Sequence, residues 1–312
     1  MKKITIMTPS FNEEESIAEC VFLVEKYFAN NLKGYRLEHL IIDNASQDQT
    51  VPIIEKIANE KKHIRLIVNS RNFGPHDSPY YGILQSSGDA VVPIMADMQT
   101  PLETVSKFVD EWEKGAEVVF GIRVSSAEKG ALKHFRNAYY QAMKLFSEYE
   151  HFVGFTGFGL YSRRAVETLR EIDEANPYFR TLIPELGFRR AFVEYQQPSR
   201  NYGRSKHQLM QLIDYALLGF LSSSKITGRI ITLAGATISL LCLLVSSVYL
   251  LAKLLFWDAF SIGMAPLVIG TFFLFGINFI VLGVISEFLM ILLKYARRRP
   301  LVIEDRRVGF DR

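Results

Sequence analysis

The segment Val91-Val92-Pro93-Ile94-Met95-Ala96-Asp97-Met98-Gln99-Thr100-Pro101 sets a carboxylate and a carboxamide two residues apart at the end of an apolar run of strand length. Strand alternation puts Asp97 and Gln99 on one side, two oxygen donors for one hard cation, and Mg2+ or Mn2+ bridging a diphosphate fits such a pair. A structural reading competes: a lone Asp ahead of Thr100-Pro101-Leu102-Glu103 can cap a helix that opens with proline.

Three earlier segments carry the same polar character. They are Pro9-Ser10-Phe11-Asn12-Glu13-Glu14, Asp43-Asn44-Ala45-Ser46-Gln47-Asp48-Gln49-Thr50 and Ser70-Arg71-Asn72-Phe73-Gly74. Asn12, Glu13, Asp43, Asn44, Ser46 and Arg71 are groups that could reach a nucleotide's base, ribose and phosphates: carboxylates suit ribose hydroxyls or an imide N–H, and arginine suits diphosphate oxygens. Asn, Asp and Ser also simply build turns. Recurrence after three successive strands, ahead of Asp97 and Gln99, favours nucleotide binding. Neither G-x-G-x-x-G nor G-x-x-x-x-G-K-[ST] occurs, so dinucleotide and P-loop readings lack their signature. Further on, Arg200, Arg204 and Lys206 with the Ser205 hydroxyl could surround a phosphate monoester, or touch anionic headgroups.

Strands and helices alternate where these segments fall. Strands are expected at 3–8, 37–42, 64–68, 91–95 and 118–120, with helices at 16–30, up to 60, and 80–87 between them. This order implies right-handed crossovers and a mainly parallel sheet, with ligands outside the carboxyl ends of its strands. The stretch from Lys133 to Phe146 reads as a helix packed on the sheet or as a wall of an acceptor cleft, and a strand returns near Phe192.

The four motifs, in their order, resemble those of family 2 glycosyltransferases, most closely the polyprenyl-phosphate branch, and the resemblance covers nearly the whole chain. It implies a GT-A, Rossmann-like α/β domain and an inverting displacement. Pro9, Asn12, Glu13, Asp43, Asn44, Ser46, Arg71 and Asp97 would bind the nucleotide-diphosphate sugar. Asp97 and Gln99 would hold Mg2+ or Mn2+ and, with Arg123, form the catalytic set. Arg123, Arg200, Ser205 and Lys206 would grip the acceptor phosphate; Arg200, Gly203, Ser205 and Lys206 match the family's Arg-x-x-Gly-x-Ser-Lys. The chain departs from the family at Met95, where the metal motif has an acidic residue, and at Thr156-Gly157-Phe158, which lacks an aspartate after Thr-Gly.

Hydrophobic residues make up 49% of the 312, and mean hydropathy is +0.10, with the excess at the C-terminal end. Uncharged runs at 230–252 and 259–286 each exceed the roughly 20 residues a spanning helix needs. An apolar-faced helix at 208–224 suits the interface before them. Lys225 and Arg229 precede the runs and Lys294, Arg297, Arg298 and Arg299 follow, while the connecting Phe256 to Ala265 carries only Asp258. Positive residues favour the cytoplasm, so the catalytic domain and both termini are expected there. The expected organisation is a catalytic domain at 1–205, an interfacial helix at 206–228, spans at 229–256 and 262–294, and a basic tail at 295–312. No signal peptide is expected, because Met-Lys-Lys runs straight into a strand. A net charge of +3 gives no footprint for nucleic acid, and two cysteines give no disulfide framework. Two rival functions stay open: transfer to another lipid or a polysaccharide, and a silent nucleotide-binding scaffold. So does homo-oligomerisation.

Overall fold

The computed structural model describes residues 1–124, 152, 154–172, 179–198 and 300–310, with scattered helical positions between 255 and 296. The expected interfacial helix, the Lys133 to Phe146 stretch, the whole of the first apolar run and most of the second lie outside the described residues. Among the described residues, no helix is long and apolar enough to cross a membrane.

The chain alternates β1 (Lys3–Ser10), α1 (Ile17–Asn31), β2 (Arg36–Asp43), α2 (Thr50–Glu60), β3 (Ile64–Asn69), α3 (Gly74–Gln85), β4 (Ala90–Pro93), α4 (Glu103–Glu113) and β5 (Val118–Arg123). Then follow β6 (Phe155–Ser162), α5 (Arg163–Ile172), α6 (Phe179–Glu185), β7 (Arg190–Tyr195) and β8 (Glu304–Val308). All eight strands join one sheet in the order β7-β5-β6-β4-β1-β2-β3-β8. β1 pairs in parallel with β2 and β4, β2 with β3, and β5 with β7. β6 and β8 pair antiparallel to their neighbours.

Strand alternation divides the core between the two faces. Ile4 and Ile6 of β1 pack with Cys20, Val24 and Phe28 of α1 and Val105 and Phe108 of α4. Ile41, Ile64 and Leu66 meet Val51, Ile54 and Ala58 of α2. On the opposite face, Met7, Leu40, Ile42 and Val91 meet Tyr80 and Ile83 of α3 and Val166 and Leu169 of α5. Strands buried on both faces must be apolar nearly throughout, which is why β1 to β4 read so clearly in the sequence.

The structure differs from the sequence expectations in four places. α3 starts at Gly74, earlier than 80, because Gly74 takes φ +90 and Pro75 follows at the start of the helix. β4 ends at Pro93, so Asp97 and Gln99 do not alternate on a strand; they share a turn. β6 inserts between β4 and β5, and only glycine fits there: a Cβ on Gly159 would lie 2.3 Å from the Val119 carbonyl oxygen. Finally, β8 comes from the stretch expected to be a basic tail and pairs with β3, so residues 304–308 belong to the sheet.

Candidate functional site

β1 sits between β2 and β4, so the connections leaving β1 and β4 part to opposite sides, and a crevice opens at this switch point beyond the strand ends. Three non-glycine residues with positive φ lie in the turns there: Asn12 (φ 53), Ala45 (φ 63) and Met98 (φ 57). Left-handed backbone at such residues persists only where surrounding contacts impose it.

Those contacts are dense. The Asn12 N–H donates to the Ser46 hydroxyl at 2.8 Å, and the Asn12 side-chain oxygen accepts the Gln47 N–H at 2.8 Å. The Glu13 N–H donates to Thr50 Oγ1 at 2.8 Å, and the Glu14 carboxylate accepts the Gln49 N–H at 2.9 Å. The turns after β1 and β2 are therefore stitched into one body. Asp43, fully buried, accepts the Ser46 N–H at 2.8 Å, the Ser46 hydroxyl at 2.5 Å and the Ser10 hydroxyl at 3.1 Å. Burial raises its carboxyl pKa, against the pull of those hydrogen bonds.

Asn44 extends the stitching to the third turn. Its amide donates to Asn72 Oδ1 at 2.9 Å and the Gly74 carbonyl at 3.1 Å, while its oxygen accepts from Asn69 Nδ2 at 3.0 Å and the Phe73 N–H at 2.9 Å. Both amide hydrogens and both lone pairs are thus used inside the protein. In this geometry Asp43 and Asn44 build the cradle. Half-buried Pro9, Asn12, Glu13 and Ser46 line it, and exposed Arg71 lies over the Phe73 ring at 3.9 Å.

In the fourth turn the Gln99 N–H donates to Asp97 Oδ1 at 3.1 Å, so the Asp97 carboxylate closes the turn that carries both residues. Asp97 is buried (6% exposed), and α4 begins six residues later at Glu103, so Asp97 caps its own turn and not that helix. Thr100 Oγ1 meanwhile receives the Met95 N–H at 3.1 Å, and the Met95 side chain is exposed. One carboxylate and one carboxamide oxygen fit Mg2+ or Mn2+, which is held by few protein oxygens and completed by phosphate and water. Among the described residues no group of three or more His, Cys, Asp and Glu forms an all-protein cage.

Gln197, which sequence reasoning missed, joins this turn to β5. Its Nε2 donates to Gln99 Oε1 at 3.1 Å, and its Oε1 accepts from the Arg123 guanidinium at 2.7 Å. Only the parallel pairing of β5 with β7 brings residues so distant in sequence together, and no local motif marks the position. Arg200, Ser205 and Lys206 lie outside the described residues. Phe158, where the family would carry a carboxylate, is buried against Phe108 (ring centroids 4.9 Å) and Tyr195 (5.0 Å).

The amino ends of the strands carry a different polar cluster. Buried Glu38 accepts from Thr5, Ser87 and, at 2.6 Å, Arg65. Burial pushes its pKa up, but hydrogen bonds from Ser87 and Thr5 with the Arg65 charge outweigh it, and the net shift is downward. That end is consumed by internal pairing.

A mainly parallel sheet with polar turns at its carboxyl edge and no glycine-rich phosphate loop is a GT-A-like α/β domain. The chain belongs to glycosyl transferase family 2, whose profile matches residues 5–170, from β1 through α5, and it is a glycosyltransferase. It is 29% identical over 307 residues to the prophage bactoprenol glucosyl transferase homolog of Escherichia coli K12, covering 97% of this chain and 99% of that one. It is also 29% identical over 304 residues to the bactoprenol glucosyl transferase of Shigella phage SfV, covering 96% and 97%. Among solved structures, glucosyl-3-phosphoglycerate synthase of Mycobacterium tuberculosis, crystallised with Mn2+, UDP and glucosyl-3-phosphoglycerate, is 18% identical with a TM-score of 0.46, covering 72% of this chain and 81% of that one.

Proposed function

We propose that the protein is a membrane-anchored inverting glycosyltransferase that moves a sugar from a nucleotide-diphosphate donor to a polyprenyl phosphate at the cytoplasmic leaflet. The observation that carries this reading is the joining of the Asp97–Gln99 turn to Arg123 through Gln197, which sets a donor-side oxygen pair beside a cation suited to a phosphate. Relatives named bactoprenol glucosyl transferases, matched over nearly their whole length, support the choice of acceptor.

Asp97 and Gln99 would hold Mg2+ or Mn2+, which when bound offsets the charge that develops on the departing diphosphate. The stitched turns after β1, β2 and β3 seat the nucleoside, and Arg71 faces its phosphates. Arg123 orients the acceptor phosphate, with Arg200, Ser205 and Lys206 as further grips. A phosphate oxygen then forms its bond to the anomeric carbon as the bond from that carbon to the diphosphate breaks, with inversion. A phosphate monoester has its second pKa near about 6, so it arrives largely ionised and needs orientation more than a base. Burial of Phe158 at the place of the family's aspartate is consistent with a step that uses no general base there.

The described strands also limit how such an anchor is built. β7 ends at Tyr195 and β8 begins at Glu304 in the same sheet, so the intervening chain leaves and returns on one side, and any bilayer crossings within it are even in number. Leu267, Leu274, Leu282, Ile285, Leu289 and Leu292, all helical, are 44–66% exposed, as lipid-facing side chains would be.

The test is incubation of the purified protein with a panel of nucleotide sugars, polyprenyl phosphate and Mn2+. Transfer to the polyprenyl phosphate that is lost in EDTA and in Asp97→Ala is the expected result. Transfer undiminished in EDTA would overturn the metal assignment, and transfer only to a different lipid or a polysaccharide would overturn the acceptor.

A further inference from the structure

The pairing of Gln197 with both Gln99 and Arg123 has a fixed polarity. A guanidinium only donates, so Arg123 requires the oxygen of Gln197 to face it, at 2.7 Å. The Gln197 amide nitrogen must then face Gln99, and at 3.1 Å from Gln99 Oε1 it does. Gln99 is thereby compelled to present its oxygen, the atom a hard cation needs, and one lone pair of that oxygen remains beyond the bond to Gln197. Without Gln197 the Gln99 carboxamide could equally turn its nitrogen to the same place, where it would repel a cation.

The backbone holds Gln197 to this task. β5 and β7 run parallel with Arg123 opposite Tyr195, and the Val124 N–H donates to the Tyr195 carbonyl at 2.9 Å. Gln197 follows two residues later, half-buried like Gln99 and Arg123. Tyr195 is itself anchored, buried against Phe158 at 5.0 Å between ring centroids.

We propose that Gln197 is a positioning residue that orients the Gln99 oxygen toward the cation and the Arg123 guanidinium toward the acceptor phosphate, linking the two halves of the site. It touches neither substrate in this assignment, which rests on the function proposed above. Removal of an outer partner of a metal ligand costs about 10- to 100-fold in metal affinity, so the effect is measurable.

Two variants of the full chain separate the two links. Gln197→Leu breaks both. Gln197→Glu still accepts from Arg123 but cannot donate to Gln99, whose carboxamide then turns its nitrogen toward the new carboxylate. Binding of UDP and of GDP is measured by calorimetry across Mn2+ concentrations, alongside the KM for polyprenyl phosphate and kcat. Both variants are expected to raise the Mn2+ concentration for half-maximal nucleotide binding by about tenfold or more. Gln197→Leu should also raise the acceptor KM, while Gln197→Glu should leave it within about twofold of the parent. Unaltered Mn2+ dependence in both variants would overturn the proposal, as would a uniform decline of every constant in both, the mark of a loosened fold. A parent protein that binds Mn2+ and nucleotide but transfers nothing to polyprenyl phosphate would sink the acceptor reading alone, and the Mn2+ titrations would still decide the role of Gln197. A parent without metal-dependent nucleotide binding would overturn both.

Discussion

Ala45 adopts a conformation that its own chemistry resists. At φ 63 its Cβ crowds the following carbonyl, a cost of roughly 1–2 kcal/mol that glycine does not bear. Asn44 and Ser46, tied down on either side, impose it. Ala45→Gly relieves that strain and loses about 0.4–1 kcal/mol through the looser unfolded chain, so the expected net is a gain of up to about 1.6 kcal/mol in stability, read from denaturant midpoints. A clear loss would show that the turn carries no strain. Ala45→Val should destabilise, because a β-branched side chain tolerates positive φ least. His39 gives a second, independent expectation. It is fully buried with its Nε2 2.9 Å from Thr8 Oγ1, and burial, with the His63 charge adding, pushes its pKa from 6.5 down to about 3. Between those values the unfolded chain binds the proton and the folded chain does not. Stability is therefore complete above pH 6.5 and falls as the pH drops toward 3, by at most about 1.4 kcal/mol per pH unit for one proton. His39→Gln, which can still bond Thr8, should flatten that acid slope in melts taken across pH; an unchanged slope would show that His39 does not govern it.

The elements differ sharply in how far the sequence reveals them. β1 to β4 and the helices between them are legible because burial on both faces demands continuous apolar strands and each polar motif follows one. β6 is not, because its Gly159 answers to the Val119 backbone passing close by, a tertiary demand that leaves no periodic pattern. β8 is less legible still: Glu304-Asp305-Arg306-Arg307-Val308 carries the charges of an edge strand, which in isolation read as a solvated tail. In the site, residue types named most of the cradle, but the inward turn of Asp43 and Asn44 and the bridging by Gln197 depend on which turns meet in space. β8 also reaches the site. The Ile303 carbonyl accepts the Ser70 N–H at 2.9 Å, next to Arg71, while Glu304 binds Tyr81 at 2.8 Å and Arg306 binds Glu55 at 2.8 Å. Deleting residues 301–312 should therefore free the Arg71 turn and weaken nucleotide binding about two- to tenfold, the worth of one net hydrogen bond. Calorimetry with UDP and GDP measures this, and affinity equal to the full chain would show that the turn holds itself.

For the molecule as a whole, the decisive relation is between the sheet and the segment that interrupts it. The sheet takes strands from both sides of residues 199–300, so the two ends of that segment share a compartment whatever it does between them. The uncharged runs at 230–252 and 259–286 are each long enough to span, and two crossings satisfy the even number that the sheet requires. Lys225, Arg229, Lys294, Arg297, Arg298 and Arg299 flank the pair on its outer sides, against Lys253 and Asp258 between the runs, an excess that in the proposed arrangement would turn the sheet toward the cytoplasm, where positive residues are retained. A nucleotide-sugar donor and a lipid-held phosphate would then meet on one side, the phosphate kept at the headgroup plane by its tail. Cysteine labelling from outside intact cells tests the arrangement. Cys20 will not interfere, since it is fully buried and burial raises its thiol pKa to about 12; Cys242 is replaced by alanine for the background. A cysteine at Ser261 should label with an impermeant maleimide, and one at Ser126 should label only after lysis. Labelling at Ser126 alone would invert the orientation and remove the catalytic turns from cytosolic nucleotide sugars. Labelling at neither site before lysis would show that the connection never reaches the far side, leaving zero crossings as the even number the sheet allows.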